Sequence, residues 1–322
     1  MLRLFTNANY KFIEIRRIAY IGTAIALALC VAVGLFNHFT RGAWLNYSVD
    51  FTGGTLMQVR YSQPTDENEL REVVQPAVPG TEITRFGAEN EFLLRAPRFT
   101  EEGGNTVERL TGALNGLGKQ YEVIRTEAVG PKVGSELQVK ALTAVVLSLL
   151  TILIYLAFRF EWRFGLAAIL AVAHDTVLTL GFIAVTHMEV SLTTIAAILT
   201  VLGFSMHDTI IIFDRVRENL AKSGKKIDFI EILDRSINET LPRTVLTVGT
   251  TLATLLALTL LGGHTISGFA LIMFVGIVLG TYSSVFVASP LLYEIEKRWG
   301  DRTKVKIGSA AAAPATRAGA TV

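Results

Sequence analysis

The sequence has little charge and almost no cysteine. Charged residues make up 18% of its 322 residues, 51% are hydrophobic, and the mean hydropathy is +0.45. These values lie outside the usual range of soluble domains and indicate a membrane protein. The single cysteine, Cys30, excludes an intrachain disulfide, so any part outside the membrane must fold by packing alone. The net charge of +2 is too small to indicate binding to nucleic acid.

Long apolar runs account for the high hydropathy. A helix needs about 20 apolar residues to cross a hydrocarbon core of about 30 Å. Six segments meet this requirement: 18–36, 141–158, 164–185, 192–213, 245–261 and 266–293. The first is longer than the apolar part of a signal peptide and lacks a small-x-small cleavage site before Trp44, so we interpret it as retained. The sequence therefore predicts a polytopic α-helical membrane protein with six transmembrane helices.

Lysine and arginine are absent from two of the short connections, "THMEV" and "LGGHT". Basic residues are instead found in the N-terminal stretch 1–17, the loop 214–243 and the tail 294–322. Because short basic loops stay in the cytoplasm, we predict that both termini and this loop are cytoplasmic. The region 37–140 is then external, since long domains are translocated largely regardless of their charge. The end of the tail is of low complexity and is predicted to be disordered.

The region 37–140 has the composition of a soluble domain. "TLMQVRY" alternates as a half-buried strand does, and "PTDENELREVVQPAV" is typical of a short helix. Two short strands, "TEITRFG" and "EFLLRAP", follow around a turn at 87–90, and then come a helix in "TVERLTGALNGLG" and a strand in "KQYEVIRTEAVG". The order β-α-β-β-α-β predicts a ferredoxin-like α+β external domain. It contains neither a His/Cys metal spacing nor Gly-x-Ser-x-Gly, so binding or a lever role is favoured over catalysis.

The cytoplasmic loop 214–243 contains an amphipathic stretch around "IDFIEIL". We interpret this stretch as a helix that lies along the membrane surface, with docking of a partner as the alternative.

Two His-Asp-Thr triplets lie inside apolar segments. The first contains His174 and Asp175, and the second contains His207 and Asp208. An Asp at the centre of a transmembrane helix costs about 2.5–3.5 kcal/mol on insertion scales, and such residues often mark ion or proton pathways. The alternative is that each Asp only forms a hydrogen bond with a neighbouring helix. Successive helical residues point about 100° apart, so a His and its Asp cannot share one narrow face, and each His is expected to be a packing or hydrogen-bonding residue instead of a member of a proton relay.

Asp208 is the stronger candidate for proton coupling. It lies five residues before the end of its apolar segment, roughly 8 Å along a helix. Arg243 precedes the next segment and enters the bundle from the same side. An opposite charge favours the ionised carboxylate whereas burial favours the protonated form, so a change in their distance would move a proton. We therefore predict that Asp208 and Arg243 form a proton-coupling pair, with Asp175 and His207 as further members.

A hydroxyl stripe follows Arg243 on the same segment: Thr247, Thr250, Thr251 and Thr254. Such a stripe can hold helices together or order water beside a charged pair, and both readings stay open.

Five motifs together resemble one family. "VDFTGGT" follows the first apolar segment, and "RFEWRF", "AHDT", "GFSMHDTIIIFDRVREN" and "SINETLPRTVLT" come later in the same order. The chain resembles the SecF group of the bacterial SecD/SecF protein-export family, within the resistance-nodulation-division superfamily. The resemblance covers nearly the whole chain except the tail, and its most specific part is 203–219.

The resemblance implies a multi-pass protein of the bacterial plasma membrane with a periplasmic domain. It implies SecD as the partner, together with the SecYEG channel, YajC, the SecA-driven export machinery, unfolded exported polypeptide and membrane lipid. The family uses the proton gradient to promote late steps of protein export, without enzyme activity or a cofactor.

The resemblance also implies roles for particular residues. Asp208 corresponds to the membrane carboxylate of the family and Arg243 to its basic partner. The motif residues Asp50, Phe51, Gly53 and Gly54 are implied to link the first span to the external domain as a hinge. The sequence departs from the family pattern Tyr-Ser-x-Asn-Asp, because "FSMHD" lacks the tyrosine hydroxyl and has a titratable histidine in place of the asparagine.

Two other functions compete with protein export. One is a proton-driven small-molecule or lipid exporter half of the same superfamily, which would use the same Asp chemistry but which usually has larger external domains. The other is an intramembrane aspartyl protease, in which Asp175 and Asp208 would share a proton. Arg243 beside one carboxylate and the lack of Gly-x-Gly-Asp argue against the protease, so we predict that the chain is not an enzyme.

Overall fold

The computed structural model describes residues 9–86, 90–97, 106–222 and 228–299. Within these ranges, six helices are long and apolar enough to cross a membrane. They are α1 (Arg16–Arg41), α5 (Pro131–Arg159), α6 (Trp162–Thr186), α7 (Leu192–Lys222), α8 (Phe229–Leu261) and α9 (Gly263–Ser283), which continues through a π-helical segment (Ser284–Ala288) into α10 (Ser289–Trp299). Each predicted apolar segment lies in one of these helices or its continuation, so the six predicted spans are confirmed.

The amphipathic stretch before the fifth span is not a separate surface helix, and that interpretation was wrong. Phe229 begins α8, which runs without interruption into the span, and Asp228 caps it. Ile232 and Leu233 are buried in the core of the bundle instead of facing lipid headgroups. The N-terminal stretch packs here, where Ile13 N donates to Asp234 Oδ1 at 2.9 Å. The apolar face is therefore covered by protein, and part of this connection, 223–227, lies outside the described residues.

Small residues bring α9 against α7. A Cβ atom added at Gly276 would lie 2.5 Å from a methyl group of Val201, and one added at Gly280 would lie 2.8 Å from Ser205 Cβ. Real Cβ atoms do not approach so closely, so this Gly-x-x-x-Gly step fixes the short distance between the two helices. It places the polar residues of α7 and α9 in direct contact.

The external domain has the predicted ferredoxin-like fold. Its elements are β2 (Gly54–Tyr61), α3 (Glu67–Ala77), β3 (Glu82–Arg85), β4 (Glu91–Ala96), α4 (Thr106–Asn115) and β5 (Tyr121–Val129). The sheet order is β3-β4-β2-β5, with every neighbouring pair antiparallel. Alternate residues such as Met57, Val59, Phe92 and Leu94 are buried with the two helices. The predicted turn at 87–90 falls mostly on 87–89, outside the described residues.

A short ladder that the sequence analysis did not predict joins the domain to the bundle. After α1, β1 (Asn46–Tyr47) pairs in parallel with β6 (Glu189–Val190), which lies in the connection between α6 and α7. From the domain sheet, Arg95 contacts Glu189 at 2.8 Å and Asn46 at 2.9 Å. Burial raises the pKa of Glu189, and the positive charge of Arg95 opposes that effect. The external domain therefore rests on the end of the helix hairpin that leads into α7.

Candidate proton-coupling site

Asp208 is buried in the middle of α7, with 1% of its surface exposed. Its only hydrogen bond within the described residues is long, 3.4 Å from Thr281 Oγ1 on α9 to Asp208 Oδ2. The same Thr281 hydroxyl lies 2.9 Å from the carbonyl oxygen of Ile277, and a hydroxyl has a single proton to donate. The shorter contact holds that proton, so Asp208 has no strong donor here. Burial of an ionised carboxylate with so weak a donor is costly, and a bound proton removes that cost.

Arg243 does not contact Asp208 in this structure. It lies on the exposed side of α8 and forms neither an ion pair nor a hydrogen bond with any described residue. The predicted Asp208–Arg243 pair therefore stays a prediction for another arrangement of α7 and α8.

Polar, charged and small residues on the outer surface of α7 and α8 form a surface that we term the polar membrane face. Its exposed members are Thr200, Gly203 and His207 on α7, and Arg243, Thr247, Thr250 and Thr254 on α8. Thr250 and Thr254 donate to carbonyl groups of their own helix, which lowers the cost of their exposure to lipid. Among the described residues, the side chains of His207 and Arg243 form no hydrogen bond of this kind. His207 is thus placed at a surface of the bundle, one residue away from the buried Asp208.

Asp175 lies in a complete hydrogen-bonded site between α6 and α7. It is 0% exposed, Ser205 Oγ donates to its Oδ2, and His174 Nδ1 lies 2.9 Å from its Oδ1. His174 is thus a hydrogen-bonding residue, and its partner is the adjacent Asp175, although the two side chains start about 100° apart on the helix. Asp175 and Asp208 therefore lie in different surroundings within one bundle.

Hydroxyl groups connect the surroundings of the two aspartates. Ser205 is three residues before Asp208 on α7 and bonds Asp175 of α6. Thr209 Oγ1 donates to Ser205 O at 3.1 Å and lies 2.9 Å from Ser284 Oγ, in the π-helical segment that continues α9. Three helices thus contribute polar side chains at one level of the membrane region. The π-helical segment is a frequent feature of functional sites, and the sequence contained no signal for it.

The motif "VDFTGG" forms a junction between the external domain and three helices. Ser48 caps the short helix α2 (Val49–Thr52), and Phe51 is buried in the core of the bundle. Phe51 O accepts a hydrogen bond of 2.8 Å from Gln138 Nε2 of α5. Asp50 Oδ2 accepts a hydrogen bond of 3.1 Å from Leu192 N, the first residue of α7. Asp50 therefore caps the helix that carries Asp208.

The two glycines of the motif complete this junction. Gly53 ends α2 with a φ of 68°, and Gly54 begins β2 with a φ of 120°. Both angles lie in the region that favours glycine. A Cβ atom at Gly54 would also lie 2.6 Å from the carbonyl oxygen of Ala96 on β4. In this structure the predicted hinge is thus fixed by hydrogen bonds to α5 and α7 and by its close approach to β4. Its movement stays a prediction.

Comparisons with known proteins assign the chain to a family. A family model described as "Protein export membrane protein SecD/SecF, C-terminal" matches residues 109–298, more than half of the chain. A second model, "SecD/SecF GG Motif", matches residues 42–65. A curated protein translocase subunit SecF from Gemmatimonas aurantiaca is 47% identical over 329 aligned residues, covering 99% of this chain and 95% of the relative. The chain belongs to the SecF family of protein translocase subunits.

Other SecF relatives and solved structures agree with this assignment. The SecF subunit of Vibrio alginolyticus is 41% identical, with 82% of this chain and 84% of the relative covered. A crystal structure of SecDF from Thermus thermophilus, titled a translocon-associated membrane protein, matches with a TM-score of 0.80 and 38% identity over 92% of this chain. A SecDF structure in a super-membrane-facing form matches with a TM-score of 0.64, 40% identity and 91% coverage. This chain spans 40% and 39% of the lengths of those two SecDF chains.

Proposed function

We propose that this SecF-family chain pairs with SecD in the bacterial plasma membrane and uses the proton gradient to promote late steps of protein export. It acts without enzyme activity and without a cofactor other than the gradient. The observation that carries the proposal is the burial of Asp208, at 1% exposure, in a membrane-spanning helix where its hydrogen bond from Thr281 is long and no ion pair forms with another described residue. Intramembrane carboxyl groups of this kind mark proton pathways, because a change in their burial or in nearby charges shifts the equilibrium between the protonated and ionised forms.

The proposed cycle begins with a protonated Asp208, which tolerates the buried position. Release of the proton leaves a charge that needs a partner, and Arg243 on α8 is the cation that approaches from the cytoplasmic side. Pairing requires α7 and α8 to move relative to each other. Asp50 caps α7 and leads directly into β2 through Gly54, so a shift of α7 would be passed to the external domain.

The free energy that one proton releases on crossing the membrane is enough to shift the position of the external domain but not to unfold a domain. One elementary charge that crosses 100 mV releases about 2.3 kcal/mol, which biases a two-state equilibrium about fifty-fold. Unfolding a domain takes about 5–15 kcal/mol. We therefore infer that the proton biases the external domain between two positions, which hinders backward movement of an emerging unfolded polypeptide. The SecYEG channel, with YajC and SecA-driven export, supplies that polypeptide.

The polar membrane face supports SecD as the partner. Exposed His207 and Arg243 would be costly against lipid, whereas a second membrane bundle can supply hydrogen-bond partners. Gly203 and Thr200 lie beside His207 on α7, and small residues of this kind allow close packing of helices between proteins. The face is therefore the surface on which we place SecD.

Crosslinking tests this placement. A photoreactive residue at Gly203, where an added Cβ atom meets nothing within 4 Å, should capture SecD in native membranes. The matched control is the same residue at Leu29 on α1, which is 60% exposed but apolar, and which should capture mainly lipid. Mass spectrometry of the products identifies the partner, and channel subunits are expected in the same preparation. Equal capture of SecD at both positions, or at neither, would contradict the placement.

Topology can be tested with impermeant thiol reagents. In a Cys30→Ser background, a cysteine placed at the exposed Glu122 of β5 should react in intact cells, because the domain is proposed to be external. A cysteine at the exposed Lys222 of α7 should react only after lysis, because that end is proposed to be cytoplasmic. The reverse pattern of labelling would overturn the orientation.

A further inference from the structure

His174, Asp175 and Ser205 form a group that the proposed role of Asp208 does not explain. Asp175 is 0% exposed and His174 is 6% exposed, so both lie in the interior of the bundle. Each carboxylate oxygen has one side-chain partner, His174 Nδ1 at 2.9 Å on one side and Ser205 Oγ on the other. A buried carboxyl fixed on both oxygens beside an imidazole can exchange a proton with that ring.

The second nitrogen of the ring adds an independent observation. His174 Nε2 is buried and has no hydrogen-bond partner among the described residues. Buried polar atoms are nearly always paired, so an unpaired ring nitrogen beside a titratable carboxyl calls for a functional explanation. Helices that pack on α6 carry further buried hydroxyls without a partner in the described part of the chain: Tyr20 and Thr23 on α1, and Ser283 at the end of α9.

We propose that His174 and Asp175, oriented by Ser205, are a second proton-holding centre of this bundle, with His174 Nε2 as the atom at which the proton enters and leaves. This inference rests on the proposed proton-coupled function and deepens it. In this centre Asp175 binds the proton and His174 transfers it. Ser205 is a positioning residue whose hydrogen bond to Asp175 joins α7 to α6.

The protons balance as follows. In the empty state Asp175 is ionised, and the neutral ring of His174 donates its Nδ1–H to Oδ1, which leaves a lone pair on Nε2. A proton that binds Nε2 makes the ring positive. The Nδ1 proton then moves to Asp175 Oδ1, so both groups become neutral and the Nε2–H bond remains. The pair thus goes from a net charge of −1 to zero when it takes up one proton, and the uptake removes a buried charge that is costly in the interior.

Other charged groups around α6 do not neutralise Asp175 directly. The helices that pack against α6 carry many titratable residues, among them Arg16, Tyr20 and Cys30 on α1, Tyr155 and Arg159 on α5, His207, Asp208, Asp214 and Arg217 on α7, Tyr282 on α9, and Tyr293, Glu294 and Glu296 on α10. Within the described residues, His174 is the one basic group within ion-pair distance of Asp175. Arg159 and Arg163 are paired with Asp214 and Glu296. His174 is therefore the group placed to exchange a proton with Asp175 in the described part of the chain.

Protonation of His174 can be measured directly. The full chain, labelled with ¹⁵N-histidine and reconstituted with SecD in lipid vesicles, is titrated between about pH 5 and pH 8 by solid-state NMR. The His174 signals are assigned by their loss in His174→Asn. We expect Nε2 to change from acceptor to donor as the pH falls while Nδ1 stays hydrogen-bonded. In Asp175→Asn this change at Nε2 should be absent over the same range, because no carboxylate remains to take the Nδ1 proton. Signals of His174 that are unchanged over this range in the parent protein would overturn the proposal.

Export assays separate a relay from a structural contact. His174→Asn places an amide donor near the position of Nδ1, so it keeps the bond to Asp175 but has no Nε2. The ratio of export with and without a gradient should fall to about one in this variant, since a bias of up to about fifty-fold at 100 mV is lost. Thr179→Val is the matched control, because Thr179 is buried one turn away and donates only to the backbone oxygen of Asp175. It should respond to the gradient as the parent does.

Asp208→Asn distinguishes failure of this inference from failure of the proposed function. If His174→Asn keeps a full response to the gradient while Asp208→Asn loses it, the second centre is wrong and the proposed function stands. If Asp208→Asn also keeps a full response, the coupling role of Asp208 in the proposed function is wrong. The NMR titration then decides by itself whether His174 and Asp175 hold a proton.

Discussion

Gradient-driven export is expected to stop in an Asp208→Asn variant, whereas initiation from the cytoplasm is expected to continue. Asparagine has nearly the shape of a protonated aspartic acid, so the buried position remains filled and the packing of α7 on α9 remains intact. What the variant loses is the ability to release a proton and become negative. Without that charge, Asp208 does not attract Arg243, and the helices stay in the arrangement seen here, where Asp208 contacts Thr281 and is not paired with Arg243.

The measurement is export into inverted membrane vesicles with and without a proton gradient. The parent should show a stimulation of up to about fifty-fold at 100 mV if one charge is coupled, and Asp208→Asn should show none. Arg243→Met should resemble Asp208→Asn, because it removes the other half of the pair. Neither variant should prevent membrane insertion, since each replaces a charged side chain with an uncharged one in a spanning helix.

Thr281→Val is a suitable control for the same site. It removes the 3.4 Å contact with Asp208 but leaves the carboxyl group able to titrate. A long hydrogen bond of this kind contributes little, so the stimulation by the gradient should be retained. If vesicles with Asp208→Asn respond to the gradient as the parent does, Asp208 is only a packing residue and the coupling role is wrong.

The architecture was predictable because its signals are local in the sequence. Each spanning helix is one apolar run, and the order of strands and helices in the external domain follows from periods of 2 and 3.6 residues. Helix ends were predicted less well. The charged start of α8 does not look like part of a span, but it is helical because Ile232 and Leu233 are covered by other parts of the protein instead of by lipid.

The site was predictable in its residues but not in its contacts. An aspartate in an apolar helix is visible in any sequence, so Asp175 and Asp208 were found at once. The bond from Leu192 N to Asp50 joins residues 142 positions apart, and nothing in a single sequence indicates such a partner. The contact of His174 with Asp175 depends on side-chain rotamers, which periodicity does not specify. The role of Asp50 as a helix cap could therefore emerge only from the folded structure.

Gly54→Val is expected to damage the external domain and export together, while the six spans remain inserted. Gly54 is the first residue of β2, and its φ of 120° is costly for any residue with a Cβ atom. A residue held at such an angle costs about 1–3 kcal/mol, and a β-branched valine is poorly suited to it. The added Cβ atom would lie 2.6 Å from Ala96 O, so the start of β2 must also move away from β4. Together these effects amount to a large fraction of the free energy of unfolding of a typical domain, which is about 5–15 kcal/mol.

Hydrogen exchange of the full chain, followed by mass spectrometry, measures this damage where it occurs. Amides of β2 and β4 should exchange faster in Gly54→Val, and those of α6 and α7 should stay protected, because the loss lies in the sheet. Gly118→Ala separates the two causes, since Gly118 has a φ of 64° but open space where its Cβ would be, so only backbone strain is introduced. Gly130→Ala has neither problem and should behave as the parent. Unchanged exchange in β4 together with normal export in Gly54→Val would show that this junction tolerates a side chain. Faster exchange with normal export would show that the anchoring of the sheet to α7 is not needed for coupling.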